Sequence, residues 1–241
     1  DYTGTNALYG LLAGFLSGKN EPSTHTGLSK ENAGAFLKWM KRRRFPPKPE
    51  QMQFIERVFG PEQIMLLQGP PGTGKTESLQ LAVLTHVAAH KAGSRCRVLM
   101  VAPTHKAIHE FVTKLAESWG NYLKAGNRDL VDLRIYRVLS NDVSSAKAID
   151  GVKYVNYNED EQVVAELRNC LISQKTLVSD SADAWPLILC VTPPGMYGLM
   201  KKIGEGEPPW GEGFFDLLAV DEASMMRLPE LILSGAFVNK S

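Results

Sequence analysis

The segment from Gly69 to Thr76 constrains the fold more than any other part of the chain. It reads Gly-Pro-Pro-Gly-Thr-Gly-Lys-Thr and fits the phosphate-binding pattern G-x-x-x-x-G-K-[ST] without a mismatch. Its glycines lack a Cβ, so the backbone can turn its N–H groups inward around an anion. The lysine adds positive charge near the β- and γ-phosphates, and the threonine offers a hydroxyl to Mg²⁺. The segment therefore predicts a site for a nucleoside triphosphate rather than a glycine-rich turn without a ligand.

The sequence on either side of this loop predicts a strand before it and a helix after it. Residues 64–67 form a short apolar run, Ile-Met-Leu-Leu, which is typical of a buried parallel strand. After the loop, Leu79, Val83 and Val87 recur at helical spacing. This order places the phosphates at a helix N-terminus, where the helix dipole favours anions.

The remaining apolar patterns predict an α/β fold. Further strands are predicted at 97–102, 133–138, 187–191 and 215–220, and further amphipathic helices at 6–17, 29–43 and 50–59. Strands that alternate with helices and consist of apolar runs indicate a mainly parallel sheet with helices on both faces. Residues 140–184 are more polar and are interpreted as an inserted accessory segment, with a helix from Asn158 through Ile172.

An acidic pair follows the last predicted strand. Asp221 and Glu222 come directly after the apolar residues 217–220. In an open α/β sheet, ligands bind at the carboxyl ends of the strands. An aspartate at that position suits Mg²⁺, and a glutamate suits the polarisation of an attacking water. An acidic pair at the end of a strand is common on protein surfaces and does not by itself indicate a site. With a phosphate loop earlier in the chain, it predicts the second half of a nucleotide site.

The composition excludes some classes of protein. The 241 residues suit one large α/β domain, and a net charge of +1 is too small for a strongly basic nucleic-acid binder. The basic run from Lys41 to Arg44 is interpreted as a solvated helix end. No apolar run approaches the roughly 20 residues of a membrane span, so no membrane partner is expected. The chain begins at Asp1 rather than Met, and we expect it to be a piece of a longer protein.

The cysteines and histidines do not indicate a metal centre. Cys96, Cys170 and Cys190 are scattered without C-x-x-C spacing, which is typical of thiols in an intracellular protein. Two histidine pairs, at positions 86 and 90 and at positions 105 and 109, have the i, i+4 spacing of metal ligands on a helix. The sequence indicates no third ligand for either pair, so all four are interpreted as packed or surface histidines.

Four sequence elements occur in an order that resembles the superfamily 1 helicases. Gln51 opens a helix shortly before the phosphate loop, and Ala102-Pro103-Thr104-His105-Lys106-Ala107 ends the next strand. Cys190-Val191-Thr192 ends a later strand, and Asp221-Glu222-Ala223-Ser224 follows the last one. The order is most similar to the up-frameshift-like branch, which includes senataxin-like and immunoglobulin-mu-binding-protein-like enzymes. The resemblance covers about residues 48–234.

The resemblance implies a role for each matching residue. Lys75, Asp221 and Glu222 look like the catalytic residues of motifs I and II, the Walker A and Walker B elements, and Gln51 looks like the glutamine that reads the adenine edge. The nucleotide-binding residues implied in this way are Gln51, Gly69, Pro70, Pro71, Gly72, Thr73, Gly74, Lys75 and Thr76. The implied Mg²⁺ ligands are Thr76 and Asp221, and the implied nucleic-acid contacts are Thr104, His105, Lys106 and Thr192.

The same resemblance implies the architecture and the activity. The fold would be a RecA-like P-loop NTPase domain over residues 48–241, with the partly helical insertion at 140–184 and an N-terminal helical extension over 1–47. ATP and Mg²⁺ would be the cofactors. The partners would be single-stranded DNA or RNA and a second RecA-like domain of the parent chain. Hydrolysis of ATP would then drive movement along the strand.

Two other interpretations of the residues stay open. The loop sequence is shared with AAA+ ATPases, but these usually reach their acidic strand much sooner than the 146 positions from Lys75 to Asp221 (221 minus 75). The Ala102-Pro103-Thr104 element also argues against that class. The second alternative is a non-enzymatic scaffold module that keeps ATP as a structural ligand. Such a module has no need of Thr76 and Glu222 beside an intact lysine and aspartate.

Overall fold

Seven α-helices and five β-strands make up most of the part of the chain that the structure describes. The computed structural model describes residues 28–60, 65–90, 96–126, 132–139, 148–172, 185–206 and 213–238. The helices are α1 (Gly34–Arg42), α2 (Pro49–Glu56), α3 (Lys75–Ala89), α4 (His105–Lys124), α5 (Glu161–Ile172), α6 (Pro193–Ile203) and α7 (Leu228–Gly235). The strands are β1 (Arg97–Val101), β2 (Arg134–Leu139), β3 (Val152–Asn156), β4 (Leu187–Val191) and β5 (Leu217–Val220). Short 3₁₀ helices lie at Arg57–Phe59 and Ala223–Met225.

The five strands form one sheet in which every pair of neighbours is parallel. Their order is β3-β2-β4-β1-β5. Val101, the last residue of β1, lies opposite Val191 of β4 and Val220 of β5, so three neighbouring strands end side by side. The sheet confirms the predicted α/β fold with a mainly parallel sheet, and it brings the residues that follow these three strands to one edge.

Alternate side chains of the central strands pack against two separate layers of helices. In β1, Val98 and Met100 pack in a core that contains residues of α1 to α4. Leu99 and Val101 pack in a second core with residues of α5 and α6. Successive strand residues point to opposite faces of a sheet, so a strand covered on both faces is apolar throughout. All five residues of β1 are buried, as are all five of β4.

Helix α3, which follows the phosphate loop, is enclosed by the rest of the domain. Every residue from Gln80 to Ala89 is buried. The buried polar side chains bond to carbonyls: Gln80 Nε2 donates to the Phe111 oxygen at 3.2 Å, and Thr85 Oγ1 donates to the Leu81 oxygen at 2.7 Å. A helix that is apolar on all sides belongs in a protein interior. The phosphate loop is therefore attached to a firmly packed element.

The strand predicted before the phosphate loop is not formed by the described residues. Residues 65–67 have no strand pairing, and the Leu66 side chain is 72 % exposed. A strand exists only through pairing with a neighbour, and among the described strands β5 has β1 as its single neighbour. None of the described strands pairs with residues 65–67, so this apolar run forms no strand. The prediction of a strand at 64–67 is wrong for these three residues; Ile64 lies outside the described part.

The polar segment 140–184 contributes a strand to the sheet as well as a helix. Its described part, 148–172, contains β3, which pairs with β2 at the edge of the sheet, and α5, which confirms the predicted helix. The sequence did not indicate β3, because only one of its five residues is buried and it has no apolar run. The predicted helix at 29–43 is confirmed as α1, and the one predicted at 6–17 lies outside the described residues.

Candidate nucleotide site

The phosphate loop leads directly into the N-terminus of α3. Gly72 and Gly74 both have a φ of 79°, a left-handed conformation that a residue with a Cβ adopts only with strain. Gly74 is also the residue that caps α3. The first N–H groups of a helix have no partner within it, and they lie at the positive end of the helix dipole. Loop and helix together therefore form a backbone arrangement suited to an anion such as a phosphate group.

Two side chains of the loop bond to its own carbonyl oxygens. Lys75 Nζ donates to the oxygens of Gly69 and Pro70, both at 2.8 Å. Thr73 Oγ1 donates to the Pro70 oxygen at 2.8 Å. These bonds keep the lysine ammonium within the curve of the loop. An ammonium has three N–H donors, so these two bonds leave one for a further acceptor.

Thr76 and Asp221, 145 positions apart in sequence, are in direct contact. Thr76 Oγ1 donates to Asp221 Oδ2 at 3.0 Å and lies 3.3 Å from Oδ1. Oxygen ligands bind Mg²⁺ at about 2.0–2.1 Å, which puts adjacent ligands of an octahedron about 2.9 Å apart. Hydroxyl and carboxylate oxygens are ligands that Mg²⁺ prefers, and their separation fits two neighbouring positions of its shell. The donor set and its spacing therefore fit the predicted ion.

Glu222 has an unusual backbone conformation. Its φ is 53° and its ψ is 37°, which is left-handed for a residue that is not glycine. Its N–H donates to Asp221 Oδ1 at 3.0 Å, and its side chain is exposed. Such a conformation costs about 1–2 kcal/mol and is enriched at functional sites. It turns the chain sharply after β5, and the carboxylate stays at the same strand end as Asp221.

Gln51 connects α2 to the phosphate loop. Its Oε1 accepts from the Lys48 N–H at 2.7 Å, and its Nε2 donates to the Thr73 oxygen at 3.0 Å. A Cβ on Gly74 would lie 2.5 Å from this Nε2, so the glycine permits the close approach. A side-chain amide has two N–H donors and two acceptor lone pairs, so these bonds leave one of each. The adenine edge offers the matching N7 acceptor and N6–H donor.

An ion pair beside the loop was not indicated by the sequence. Arg43 Nη2 donates to Glu77 Oε1 at 2.8 Å. The arginine follows α1, and the glutamate lies in the first turn of α3. A carboxylate in that position interacts favourably with the helix dipole, and the arginine balances its charge. The partners are separated by 34 positions, so only the fold brings them together.

Thr104 and Thr192 follow β1 and β4, which are neighbours in the sheet. Each caps the helix that begins after it: Thr104 Oγ1 accepts from the Ala107 N–H at 3.1 Å, and Thr192 Oγ1 accepts from the Gly195 N–H at 3.4 Å. Thr104 is exposed, whereas Thr192 is only 6 % exposed. The structure therefore brings both threonines to the sheet edge that holds Asp221, but only Thr104 has an accessible side chain.

His105 and Lys106, in the first turn of α4, have different surroundings. The Lys106 side chain is 86 % exposed, and its Nζ lies 4.0 Å from Glu110 Oε1. The carbonyl oxygen of His105 accepts from Arg137 Nη2 at 3.3 Å, and Arg137 Nη1 lies 2.7 Å from His109 Nδ1. The lysine is thus available to a partner at this edge. The half-buried His105 and His109 are packed against a buried arginine.

Two further features of the described residues concern membrane-spanning helices and thiols. Across the described ranges, no helix is both long enough and apolar enough to cross a bilayer. Cys96, Cys170 and Cys190 are buried and form no disulfide. Burial raises the pKa of the Cys190 thiol far above its ordinary value. None of the three therefore has the low pKa of a reactive cysteine.

A family model matches the chain, and several solved structures are similar to it. Residues 47–184, more than half of the chain, match the model of a family described as AAA domain. Among solved structures, the chain is similar to a nuclease-deletion mutant of the Type ISP restriction-modification enzyme LlaGI, determined in complex with a DNA substrate mimic. The TM-score is 0.45 and the sequence identity is 19 %; the similarity covers 73 % of this chain and 15 % of that one. A comparison with curated proteins gives no significant match.

Proposed function

Because the chain belongs to the AAA domain family, a helicase-like family of the P-loop superfamily, we propose that it is the first RecA-like motor domain of an ATP-dependent superfamily 1 helicase or translocase. In this proposal the chain belongs to the up-frameshift-like branch of these enzymes. ATP hydrolysis would drive movement along single-stranded DNA or RNA. The observation that carries the proposal is the contact between Thr76 and Asp221, which joins the phosphate loop to the acidic strand end.

The binding of ATP is assigned to three elements. The N–H groups of the loop and of the first turn of α3 bind the phosphates, since they point out of a helix N-terminus. Lys75 exchanges its bonds to the Gly69 and Pro70 oxygens for phosphate oxygens, which are stronger acceptors because they are charged. Gln51 uses its remaining donor and acceptor for the adenine edge.

The chemical step is assigned to the end of β5. Thr76 and Asp221 would hold Mg²⁺, which when bound supplies positive charge beside the β- and γ-phosphates. Glu222 orients the attacking water and accepts its proton, because its carboxylate is exposed at the same strand end. An arginine from a second RecA-like domain is proposed to complete the charge balance, as in other P-loop enzymes.

Contact with the nucleic acid is assigned to the neighbouring strand ends. Thr104 and Lys106 are exposed beside β1, and β1 lies between β4 and β5 in the sheet. Hydroxyl, ammonium and N–H groups bind the sugar-phosphate backbone without reading sequence. His105 and Thr192 lie at the same edge and are proposed to shape it. The nucleotide and the nucleic-acid strand would thus bind to adjacent parts of one sheet edge.

The proposal is tested by the steady-state ATPase rate of the full-length parent protein with and without single-stranded oligonucleotides of DNA and of RNA. Strong stimulation by either polymer is expected, and the preferred polymer identifies the substrate. A Glu222→Gln variant should bind ATP normally but lose the stimulated rate. Glu205→Gln is the matched control, because Glu205 is also an exposed glutamate with positive φ and is paired with Arg168 away from the site.

Two results would contradict the proposal. ATP turnover that is indifferent to both polymers would favour an AAA+ machine, which the family description makes the second candidate. Tight ATP binding without turnover under any condition would favour a scaffold that keeps the nucleotide as a structural ligand.

A further inference from the structure

Two histidines and a cysteine meet at the end of the domain remote from the phosphate loop. His86 lies in the last turn of α3, His90 directly follows that helix, and Cys96 directly precedes β1. One potential ligand atom from each residue lies within 4.8 Å of the other two. His86 is 11 residues beyond the start of α3 at Lys75, which corresponds to about 16 Å along the helix axis. The cluster is therefore separate from the nucleotide site.

The two histidine rings are in edge contact with each other. Their centroids lie 4.8 Å apart, with an angle of 65° between the ring planes. His90 Nδ1 lies 2.9 Å from the carbonyl oxygen of His86. A carbonyl oxygen only accepts hydrogen bonds, so Nδ1 carries the proton, and in the neutral ring the lone pair is on Nε2. Metal-binding histidines commonly have this arrangement, in which a carbonyl fixes the tautomer and the ring orientation.

The thiol completes a donor set that the sequence did not indicate. Cys96 is fully buried and His86 is 3 % exposed, whereas His90 is half-buried and gives access from solvent. Burial raises the pKa of the Cys96 thiol well above its usual value, and the nearby Asp216 carboxylate raises it further. A thiol that coordinates a metal ion loses its proton. Six positions separate His90 from Cys96, so no short motif marks the site.

We infer that His86, His90 and Cys96 form a binding site for a single zinc-like transition-metal ion. Two imidazole nitrogens and one thiolate suit Zn²⁺ and related ions, whereas Mg²⁺ and Ca²⁺ prefer oxygen ligands. At Zn–N distances of about 2.0–2.1 Å and a Zn–S distance of about 2.3 Å, tetrahedral ligands lie about 3.5 Å apart. Because the ligand atoms lie within 4.8 Å of one another, the cluster must close by at most about 1.3 Å. His90 lies just beyond the helix end and makes that adjustment.

Binding replaces one proton by the metal ion. Cys96 Sγ releases its proton to solvent, the two neutral imidazoles donate lone pairs, and a water molecule on the His90 side takes the fourth position. The bound ion links the C-terminal end of α3 to the start of β1. Since α3 carries the phosphate loop at its other end, the ion stabilises the element that supports that loop without contacting the nucleotide.

The test is titration of the chelator-treated chain with Co²⁺, followed by competition with Zn²⁺. A cobalt–thiolate site has a charge-transfer absorption band that oxygen-liganded Co²⁺ lacks, so Co²⁺ bound at Thr76 and Asp221 does not interfere. We expect one equivalent of Co²⁺ to produce the band and Zn²⁺ to abolish it. Cys96→Ser should lose the band, whereas the matched control Cys170→Ser, which also replaces a buried thiol, should keep it.

A second variant keeps the test decisive if Cys96→Ser does not fold. His90→Gln changes a half-buried residue outside the helix, so we expect it to fold, to keep a weak band, and to bind Co²⁺ at least about tenfold less tightly. Zn²⁺ should raise the Tm of the unaltered chain by mass action and that of His90→Gln much less. Absence of the band from the folded unaltered chain would overturn the inference. So would a band in folded Cys96→Ser, or equal affinity in His90→Gln.

Discussion

At the scale of single residues, the candidate site depends on side chains that make two contacts each. Lys75 bonds to two carbonyl oxygens of its loop, and Gln51 bonds to Lys48 and Thr73. Thr76 lies close to both oxygens of Asp221. Each of these contacts holds a functional group in position, and each leaves a donor or an acceptor for a ligand. The site is thus organised by the same atoms that would bind the nucleotide.

Replacement of Lys75 tests whether the loop binds a nucleotide. Lys75→Ala removes the ammonium that we assign to the β- and γ-phosphates, and charge-assisted bonds of this kind contribute about 1.5–3 kcal/mol. We therefore expect Mg-ATP to bind on the order of 10- to 100-fold less tightly, with the fold intact by circular dichroism. Isothermal titration calorimetry measures this change. Lys124→Ala, at the exposed end of α4, is the control, and equal affinity in both variants would count against the loop assignment.

Three glycines test the backbone argument independently of any ligand. Gly72→Ala should destabilise the chain by about 1–2 kcal/mol, because φ is positive although a Cβ there meets nothing within 4 Å. Gly74→Ala has the same φ and also displaces Gln51, so we expect a further loss of about 1 kcal/mol. Gly120→Ala, within α4 and without positive φ, should stabilise by about 0.5–1 kcal/mol.

Urea unfolding measures all three glycine variants. In the double variant Gln51→Ala with Gly74→Ala, the residue displaced by the new Cβ has been truncated. The loss of unfolding free energy that Gly74→Ala causes in the Gln51→Ala background should therefore equal the loss that Gly72→Ala causes in the unaltered chain. Equal losses for the two single loop variants would show that Gln51 is not held as described.

At the scale of elements, Glu166 of α5 binds the outer part of the sheet. Its Oε1 accepts from the Tyr136 hydroxyl at 2.7 Å, from Arg134 Nη1 at 3.1 Å and from Lys153 Nζ at 3.2 Å. Tyr136 and Arg134 belong to β2, and Lys153 belongs to β3. One carboxylate therefore joins a helix to two strands, and one of them is the edge strand that the sequence did not indicate.

These contacts make part of the stability dependent on pH. The Tyr136 hydroxyl, followed by Lys153 and Arg134, lowers the pKa of Glu166. A carboxylate with a lowered folded-state pKa stabilises the fold above its unfolded pKa, and the contribution is lost as the pH falls through the folded pKa. Because Glu166 is partly exposed, Tyr136→Phe should cost only about 1 kcal/mol at pH 7.

Urea unfolding at a series of pH values tests this expectation. The cost of Tyr136→Phe should diminish as the pH falls below the unfolded-state pKa of glutamate, about 4.3, and through the lowered folded-state pKa of Glu166. Tyr157→Phe, beyond the end of β3, should show no such trend. A cost that is independent of pH would mean that the hydroxyl acts through packing alone.

The sequence predicted the central strands better than the edge strand β3 for a physical reason. β1 and β4 are buried on both faces, so apart from Arg97 each is a run of apolar residues that a sequence pattern makes visible. β3 is half-exposed and its residues alternate weakly, so its pairing with β2 depends on the fold and not on its own composition. Residues 65–67 show the converse, because they are apolar but have no described neighbour to pair with.

Some parts of the candidate site were predictable from the sequence, and others were not. Gly69 to Thr76 and the Asp221-Glu222 pair were predictable because their chemistry requires those residue types in that order. The Arg43–Glu77 ion pair was not, and neither was the position of Cys96 beside the two histidines. The ion pair depends on which distant segments pack together, and the cluster depends on where the start of β1 lies relative to the end of α3. The sequence shows which residue types are present, but it does not show that they lie close together.

At the scale of the whole molecule, the 241-residue chain is expected to bind Mg-ATP but to hydrolyse it slowly. If a second domain supplies an arginine finger, its absence lowers the rate by roughly 10³- to 10⁵-fold. Single-turnover hydrolysis by the purified chain and by the full-length parent measures the difference. Rapid turnover by the purified chain, abolished by Glu222→Gln, would show that the chain needs no second domain.

The proposed nucleic-acid edge is tested by reversing charge at two positions of one helix. Lys106 lies in the first turn of α4 at the sheet edge, and Lys114 is exposed about 12 Å further along it. In the full-length parent, Lys106→Glu should weaken single-strand binding and reduce the slope of log K against log salt by about 0.7. Lys114→Glu changes the net charge equally and should have little effect. Equal effects would indicate attraction by overall charge rather than an edge contact.

The enclosure of α3 has a consequence for the divergence of related sequences. From Gln80 to Ala89 the helix has no solvent-facing side, so it offers no position at which a substitution leaves the packing unchanged. Related chains should therefore vary least along this helix, even at positions remote from any ligand. Invariance of His86 in an alignment would then reflect the space available to it as much as any chemistry. The role of His86 is therefore better tested by measuring metal binding than by comparing related sequences.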